Sequence, residues 1–351
     1  MDNIKYQGCK NQNTILIMKP VKMFVAAAML LLTFACKERN SMRETTVIPA
    51  VNHFTDSLLS GLIEEQKADS GIIMVVSTPT GYVRAASGDF RNRGCRLEDF
   101  YKEEYSSMGK VATWLVALNS GKIVLTDTVD TREGVYPVNG ISLKDSSWEN
   151  GGYGKLTYFD AFAHQSNIAT YMSASKAYND VDDFVEAIWL IGLDVSHVDC
   201  QSNTALVWAS LGYGYTISAW DILEFFNGIA NQGKKVSLLP VKDSVFVDKG
   251  RMADLKHIQG VKNIFEDKGN LVKLNLSGKK TTGIMGTTTQ LSATPDNKRY
   301  KMELCGYFPA NSPQYTVYIC IYKQEKEDVA EALGNAYNRL MDFLLTDISR
   351  N

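Results

Sequence analysis

Ser107 and Lys110 are the residues of this chain whose types and spacing could make and break bonds. They stand three apart in Ser107-Met108-Gly109-Lys110, at the head of a pattern in which Val111, Leu115, Val116 and Leu118 recur at helical spacing until Gly121. Helical residues three apart share a face, so the Lys110 amine can reach the Ser107 hydroxyl. A serine is a weak nucleophile until a neighbouring base takes its proton, and an amine stripped of water can be that base. Taken alone the pair also has an ordinary reading, a helix-capping serine followed by a solvated lysine. What surrounds it has to decide.

The surrounding pattern predicts an α+β domain. A helix with Phe54, Leu58, Leu59 and Leu62 on one side leads into the apolar strand Gly71 to Val76, a turn at Pro79-Thr80-Gly81, and a returning strand from Tyr82 to Ala86. From about 107 to 235 the periodicity is mostly helical. One helix is predicted over Tyr158 to Tyr171 and a second over Val181 to Ile191, closed by Gly192. A third, capped by Thr216 or Ser218, runs through Trp220, Leu223, Phe226 and Ile229. The strands Tyr300 to Phe308 and Tyr315 to Tyr322 flank a proline-bounded turn. A last helix, from about Glu327 to Leu345, carries the stripe Val329, Leu333, Ala336, Leu340 and Phe343. Strands near both ends around a helical middle call for an antiparallel sheet with terminal helices packed on it and a helical subdomain, not a doubly wound sheet or a sandwich.

A net charge of -2 over 351 residues gives no general electrostatic case for nucleic acid as a partner. None of the six cysteines and four histidines has metal-site spacing, so neither a metal nor another cofactor is expected. Cys305 and Cys320 lie in apolar, strand-like runs and read as buried small hydrophobes. Residues 1–36 differ from the rest. Lys19 and Lys22 precede the thirteen-residue apolar run Met23 to Ala35, which suits a signal peptide and is short for a bilayer span. Thr33-Phe34-Ala35-Cys36 reads as a bacterial lipoprotein processing box, with Cys36 as the lipidated residue and Met18 as the start. A non-lipidated signal or an uncleaved anchor is the alternative, and all three take the chain out of the cytoplasm. Residues 37–51 then form a polar tether at the membrane, and 52–345 one domain.

Several further segments fall in order behind the first. Ala117-Leu118-Asn119-Ser120-Gly121-Lys122-Ile123 leads to Asp127-Thr128-Val129, and Gly154-Lys155-Leu156-Thr157 leads to Gln165-Ser166-Asn167. Ser210-Leu211-Gly212-Tyr213-Gly214 is followed by Thr216 and by Ile229-Ala230-Asn231-Gln232-Gly233, and Cys305-Gly306-Tyr307-Phe308-Pro309-Ala310 by Pro313. Together, over roughly residues 52 to 345, they resemble the transpeptidase domain of class B penicillin-binding proteins, serine D,D-peptidases of the beta-lactamase-like superfamily. The resemblance implies that fold and a place in the cell envelope. It also implies an acyl-enzyme formed on Ser107 from a D-Ala-D-Ala-type peptidoglycan stem peptide, resolved by an amine in a transpeptidase or by water in a carboxypeptidase. Lys110 would be the general base, and the Ser107 backbone N–H, at the positive end of its helix, half of the oxyanion hole. Beta-lactams would acylate the same serine.

The chain also departs from the family. Tyr105-Ser106 replaces the usual Pro-Gly before the nucleophile motif. The second motif, Ser-x-Asn, keeps its asparagine as Asn167, but Gln165 replaces its serine. An amide can hydrogen-bond to Lys110 yet cannot relay a proton as a hydroxyl does. Ser166, one position on, is turned about 100° round a helix and should face elsewhere. The third motif, Lys-Thr-Gly, has two possible registers. Met285-Gly286-Thr287-Thr288-Thr289 keeps only Thr288, loses the cation and sets a branched Thr289 where close backbone approach is wanted; Thr287, Thr288 and Thr289 are then the substrate-binding candidates. The alternative, Lys280, Thr281 and Gly283 in Gly278-Lys279-Lys280-Thr281-Thr282-Gly283, needs an extra residue that only a bulge could absorb. Losing a charge-assisted bond to a substrate carboxylate costs about 1.5–3 kcal/mol. A second function is therefore open: a catalytically impaired pseudoenzyme kept as a cell-wall binding or scaffold module. Trp148, Tyr153, Trp208, Tyr213 and Tyr215 are candidate cleft aromatics, with core packing as their ordinary reading.

Overall fold

The computed structural model describes residues 44–88, 106–195, 198, 200–242, 248–267, 282–292 and 298–346. The signal region with Cys36, residues 37–43 of the tether, and Lys280 and Thr281 of the alternative third motif lie outside the described residues.

Helix α1 (Pro49–Gln66) starts on a proline, whose missing N–H costs nothing in a first turn. The hairpin β1 (Ser70–Ser77) and β2 (Val83–Gly88) follows, and then α2 (Ser106–Asn119), which carries Ser107 and Lys110. Short ribbons come next. Strand β3 (Thr128–Asp130) pairs with β6 (Lys155–Thr157) around the hairpin β4 (Val135–Val138) and β5 (Ile141–Lys144). The helical middle comprises α3 (Tyr158–Ala163), α4 (Asn167–Ala177), α5 (Val181–Leu190), α6 (Ala205–Ser210) and α7 (Ala219–Ala230). Ser218 caps α7 in a reciprocal box with Asp221, which leaves Thr216 outside the helix start. After the ribbon β7 (Lys234–Val236) and β8 (Asp248–Arg251) come α8 (Leu255–Phe265), β9 (Gly283–Ser292), β10 (Arg299–Phe308), β11 (Tyr315–Lys323) and α9 (Ala330–Thr346). The last helix begins three residues later than its apolar stripe predicts, where the Asp328 carboxylate accepts the Ala330 N–H.

The five long strands form one antiparallel sheet in the order β2-β1-β11-β10-β9. Alternate side chains leave opposite faces, and here both faces are buried. Ile73, Val75, Val317, Ile319, Leu304 and Ile284 pack under α1 and α9, which Phe54 and Phe343 join by stacking at 4.1 Å. Ile72, Met74, Tyr318, Cys320, Cys305 and Met285 meet the helical middle. Cys305 and Cys320 are buried free thiols within this sheet.

The single helix expected over Tyr158 to Tyr171 is in fact two. Helix α3 stops at Ala163, the chain turns through His164, Gln165 and Ser166, and α4 restarts at Asn167. Gln165 has a left-handed φ of 57°, and the Ser166 hydroxyl accepts the Ala169 N–H as an N-cap. Phe162, Ile168 and Ala169 are buried on both sides of the break, so the hydrophobic rhythm runs through it unmarked.

Helix α2 is the central element. Met108, Val111, Trp114 and Leu115 are buried in the sheet-to-helix core, and the Trp114 indole donates to Thr170 Oγ1 at 2.9 Å. Its first turn passes so close to the 211–215 turn that a β-carbon on Gly109 would stand 2.8 Å from Gly212 Cα and 3.0 Å from the Tyr215 hydroxyl. Gly109→Ala should therefore force backbone to move, and thermal unfolding should show it destabilised by about 1–3 kcal/mol.

Candidate active site

Ser107 is the second residue of α2 and half-buried, while Lys110, one turn on, is 4% exposed. Both line an open cleft of about 880 Å³. One wall is the end of β5 with the α3–α4 turn, another the edge strand β9, and Trp208 and Tyr213 stand at a third side.

The Lys110 ammonium donates to the main-chain carbonyl of Gln165 at 2.9 Å. Burial lowers its pKa to about 8, and the nearby Asp145 carboxylate opposes part of that fall. Asp145 is itself 1% exposed and compensated by donors: Ser166 Oγ at 2.9 and 3.0 Å from its two oxygens, and the Ile168 N–H at 3.0 Å. A carboxylate at the start of α4 is also favoured by the helix dipole. Sequence reasoning missed Asp145. Its one signal is an acid ending a short alternating strand, which any exposed loop acid would share.

Gln165 is half-buried, and its side-chain amide donates across the cleft to the Gly286 carbonyl of β9 at 3.2 Å. Ser166 faces away from the cleft into its bond with Asp145. Asn167 lines the cleft and ties back to the β5 end, its amide donating to the Lys144 carbonyl at 2.7 Å.

On β9, Gly286, Thr287 and Thr288 line the cleft. Thr289 is 1% exposed, lies opposite Lys301 of β10, and is absent from the lining, so the expected trio contributes two members. Gly286 stands on this wall as well, a residue given no role from sequence. Thr287, at the position of the family motif's cation, lines the cleft without a charge, and Met285 is 2% exposed in the core. Of the alternative register only Gly283 is described. It opens β9 away from the cleft, and a β-carbon there would meet the Tyr307 ring at 2.3 Å.

The aromatics divide. Trp208 and Tyr213 meet edge to face at 6.1 Å on the cleft wall, and Tyr153 stacks at 4.8 Å on His164, which also lines it. Trp148 sits under the Lys144 ammonium at 3.6 Å, and Tyr215 is buried against Gly109. Among the described residues no group of three or more His, Cys, Asp or Glu side chains could hold a metal ion. Nor is any described helix long and apolar enough to cross a membrane.

The family profile of the penicillin binding protein transpeptidase domain matches residues 70–342. The chain belongs to that family. Solved structures share the fold of this transpeptidase domain. The transpeptidase domain of Burkholderia pseudomallei penicillin-binding protein 3 superposes with a TM-score of 0.74 at 18% identity, over 89% of this chain and 98% of that one. A peptidoglycan glycosyltransferase from Burkholderia ambifaria gives 0.72 at 18% identity, over 86% and 98%. A peptidoglycan synthetase from Bifidobacterium adolescentis gives 0.70 at 16% identity, with 88% of this chain spanning 62% of that longer one. No curated protein matches the sequence.

In this transpeptidase domain the buried amine has a thermodynamic signature. The unfolded lysine titrates at 10.5 and the folded one at about 8, so between those values the unfolded state binds more protons and stability rises with pH. Below pH 8 the cost of the buried charge is fully present. Lys110→Met should therefore be more stable than wild type at pH 7, by up to about 3 kcal/mol less about 1 kcal/mol for the unpaired Gln165 carbonyl. Denaturant titrations of both proteins from pH 7 to 10.5 should show that advantage vanish as pH rises.

Proposed function

We propose that this chain is a serine acyl-transferase acting on peptidoglycan stem peptides in cell-wall synthesis, a D,D-transpeptidase or D,D-carboxypeptidase of class B type. The observation that carries the reading is a buried, pKa-lowered Lys110 amine lining the same cleft as the half-buried Ser107. With a pKa of about 8, about a tenth of the amine is neutral at pH 7 and able to accept a proton. In the proposed reaction Lys110 takes the Ser107 hydroxyl proton as Ser107 Oγ adds to the carbonyl of the terminal peptide bond. The oxyanion lies by the N-terminus of α2, stabilised by the Ser107 N–H and the helix dipole. Lys110 then returns the proton to the departing D-alanine nitrogen, leaving an ester on Ser107. An acceptor amine or water adds to that ester, loses its own proton to Lys110, and Ser107 Oγ leaves with it.

Asn167 is assigned to the substrate amide and Thr287 and Thr288 to the peptide lying along β9. A beta-lactam enters the same sequence, its ring nitrogen taking the place of the leaving amine without departing from the adduct.

A specific observation supports a second reading, a catalytically impaired wall-binding module. Gln165 offers no hydroxyl for proton relay, and Thr287 puts no charge on the β9 wall. A fluorescent penicillin with intact-mass detection separates the two. Acyl transfer calls for one adduct, on Ser107, with a labelling rate that rises roughly tenfold per pH unit below 8 and levels off above it, because the neutral amine is the active form. No adduct at saturating drug, with muropeptide still retained by Ser107→Ala, would instead establish the binding module.

We further propose that Cys36 is lipidated and holds the domain at the periplasmic side of a bacterial membrane. Cys36→Ser should then move the protein from the membrane pellet to the soluble envelope fraction. Unchanged pelleting would point to an uncleaved anchor.

A further inference from the structure

Gln165 holds two walls of the cleft at once. Its main-chain carbonyl accepts the Lys110 ammonium at 2.9 Å, and its side-chain amide donates to the Gly286 carbonyl of β9 at 3.2 Å. The first bond belongs to the helical half of the molecule and the second to the edge of the sheet. Its neighbours are occupied elsewhere: the Ser166 hydroxyl serves Asp145, and the Asn167 amide donates to the Lys144 carbonyl.

The backbone makes the choice of residue informative. With φ at 57°, position 165 is one that glycine adopts freely and that costs a side-chain-bearing residue of order 1 kcal/mol. The chain carries a long amide there despite that cost, and the amide reaches β9. Among the described residues strand β9 is bonded to β10 on one side only, and no second strand of them fixes its cleft-side edge. We propose that Gln165 is a positioning residue that clasps the β9 edge to the helical half and fixes the spacing between the Lys110 base and the strand that receives the acyl donor. The part of this statement that concerns the donor rests on the acyl-transfer reading above; the clasp itself does not.

The bond to Lys110 uses the main chain and the bond to β9 uses the side chain, so they can be separated. Gln165→Gly keeps the carbonyl and suits the φ, but removes the clasp. Gln165→Glu also removes the donor and adds a carboxylate near the ammonium. The charged or titratable groups already facing this region are Asp145 behind Lys110, and Lys144 and His164 on the cleft wall.

Amide hydrogen exchange on the full chain, read at 286–288 with the amides of α7 as an internal control for folding, reports the clasp through the opening of the β9 edge. Loss of one such hydrogen bond should speed exchange at 286–288 roughly two- to tenfold in both variants while α7 stays unchanged. Penicillin labelling gives the second readout. Gln165→Gly should lower the maximal acylation rate several-fold with the pH midpoint still near 8, whereas Gln165→Glu should move the midpoint upward. Unchanged exchange at 286–288 in both variants would overturn the clasp. Should the wild-type protein take no label, acyl transfer fails as the function, and the exchange data still decide whether Gln165 holds β9.

Discussion

An amine taken out of water tolerates few surroundings, and the arrangement around Lys110 follows from that. A buried ammonium needs an acceptor within reach and an opposite charge near by, or it must give up its proton. The acceptor is the Gln165 carbonyl, which points at the amine because the chain there adopts a left-handed turn. That turn ends α3 and begins α4. The opposite charge is Asp145, itself tolerable in the interior because the Ser166 hydroxyl and the Ile168 N–H of α4 bond to it. Lys110, the helix break and Asp145 are thus one arrangement: each member is affordable only with the others in place.

The balance is uneven, and the unevenness carries the chemistry. Burial outweighs Asp145, so the amine is left easier to deprotonate than in water. A closer acid would have kept the ammonium charged and useless as a base. On the opposite wall, threonines and a glycine carbonyl face the cleft where the family's pattern has a cation, so the hydrogen bonds that β9 offers there are neutral. Against the family's pattern the chain keeps Ser107, Lys110 and Asn167 and changes the positions of Gln165 and Thr287.

Much of this was legible in the sequence because it rests on period and punctuation. The strands of the sheet stand out as apolar runs bounded by glycine and proline, and Thr216 and Ser218 mark the start of α7 to within two residues, the structure choosing Ser218. The features missed share a different cause. The α3–α4 break leaves the buried positions in phase, so hydrophobicity does not record it. Asp145 matters through contacts made by the turn at 165–168, more than twenty residues on, and nothing local distinguishes it. The register on β9 needed the pairing of Met285 with Cys305 and of Thr287 with Glu303, which no count along the chain supplies. Gln165 was visible as a departure from a family pattern, but its two anchors became apparent only in three dimensions.

The position of β11 has a consequence for how the protein comes into being. It lies at the middle of the sheet, pairing with β1 from the start of the domain on one side and with β10 on the other. Ser70 meets Tyr322 in that pairing, so β1 has no partner on its inner edge until nearly the whole chain exists. A chain made from its N-terminus therefore presents Ile72 to Val76 as an open, apolar strand for most of its synthesis, the kind of edge that invites aggregation. Long-range closure of this sort slows folding, because loop entropy must be overcome before the pairing contributes. Assembly is for the same reason all or nothing: β9 reaches the sheet through β10 and β11, so a half-made chain has one wall of the cleft and no second until the C-terminal strands arrive.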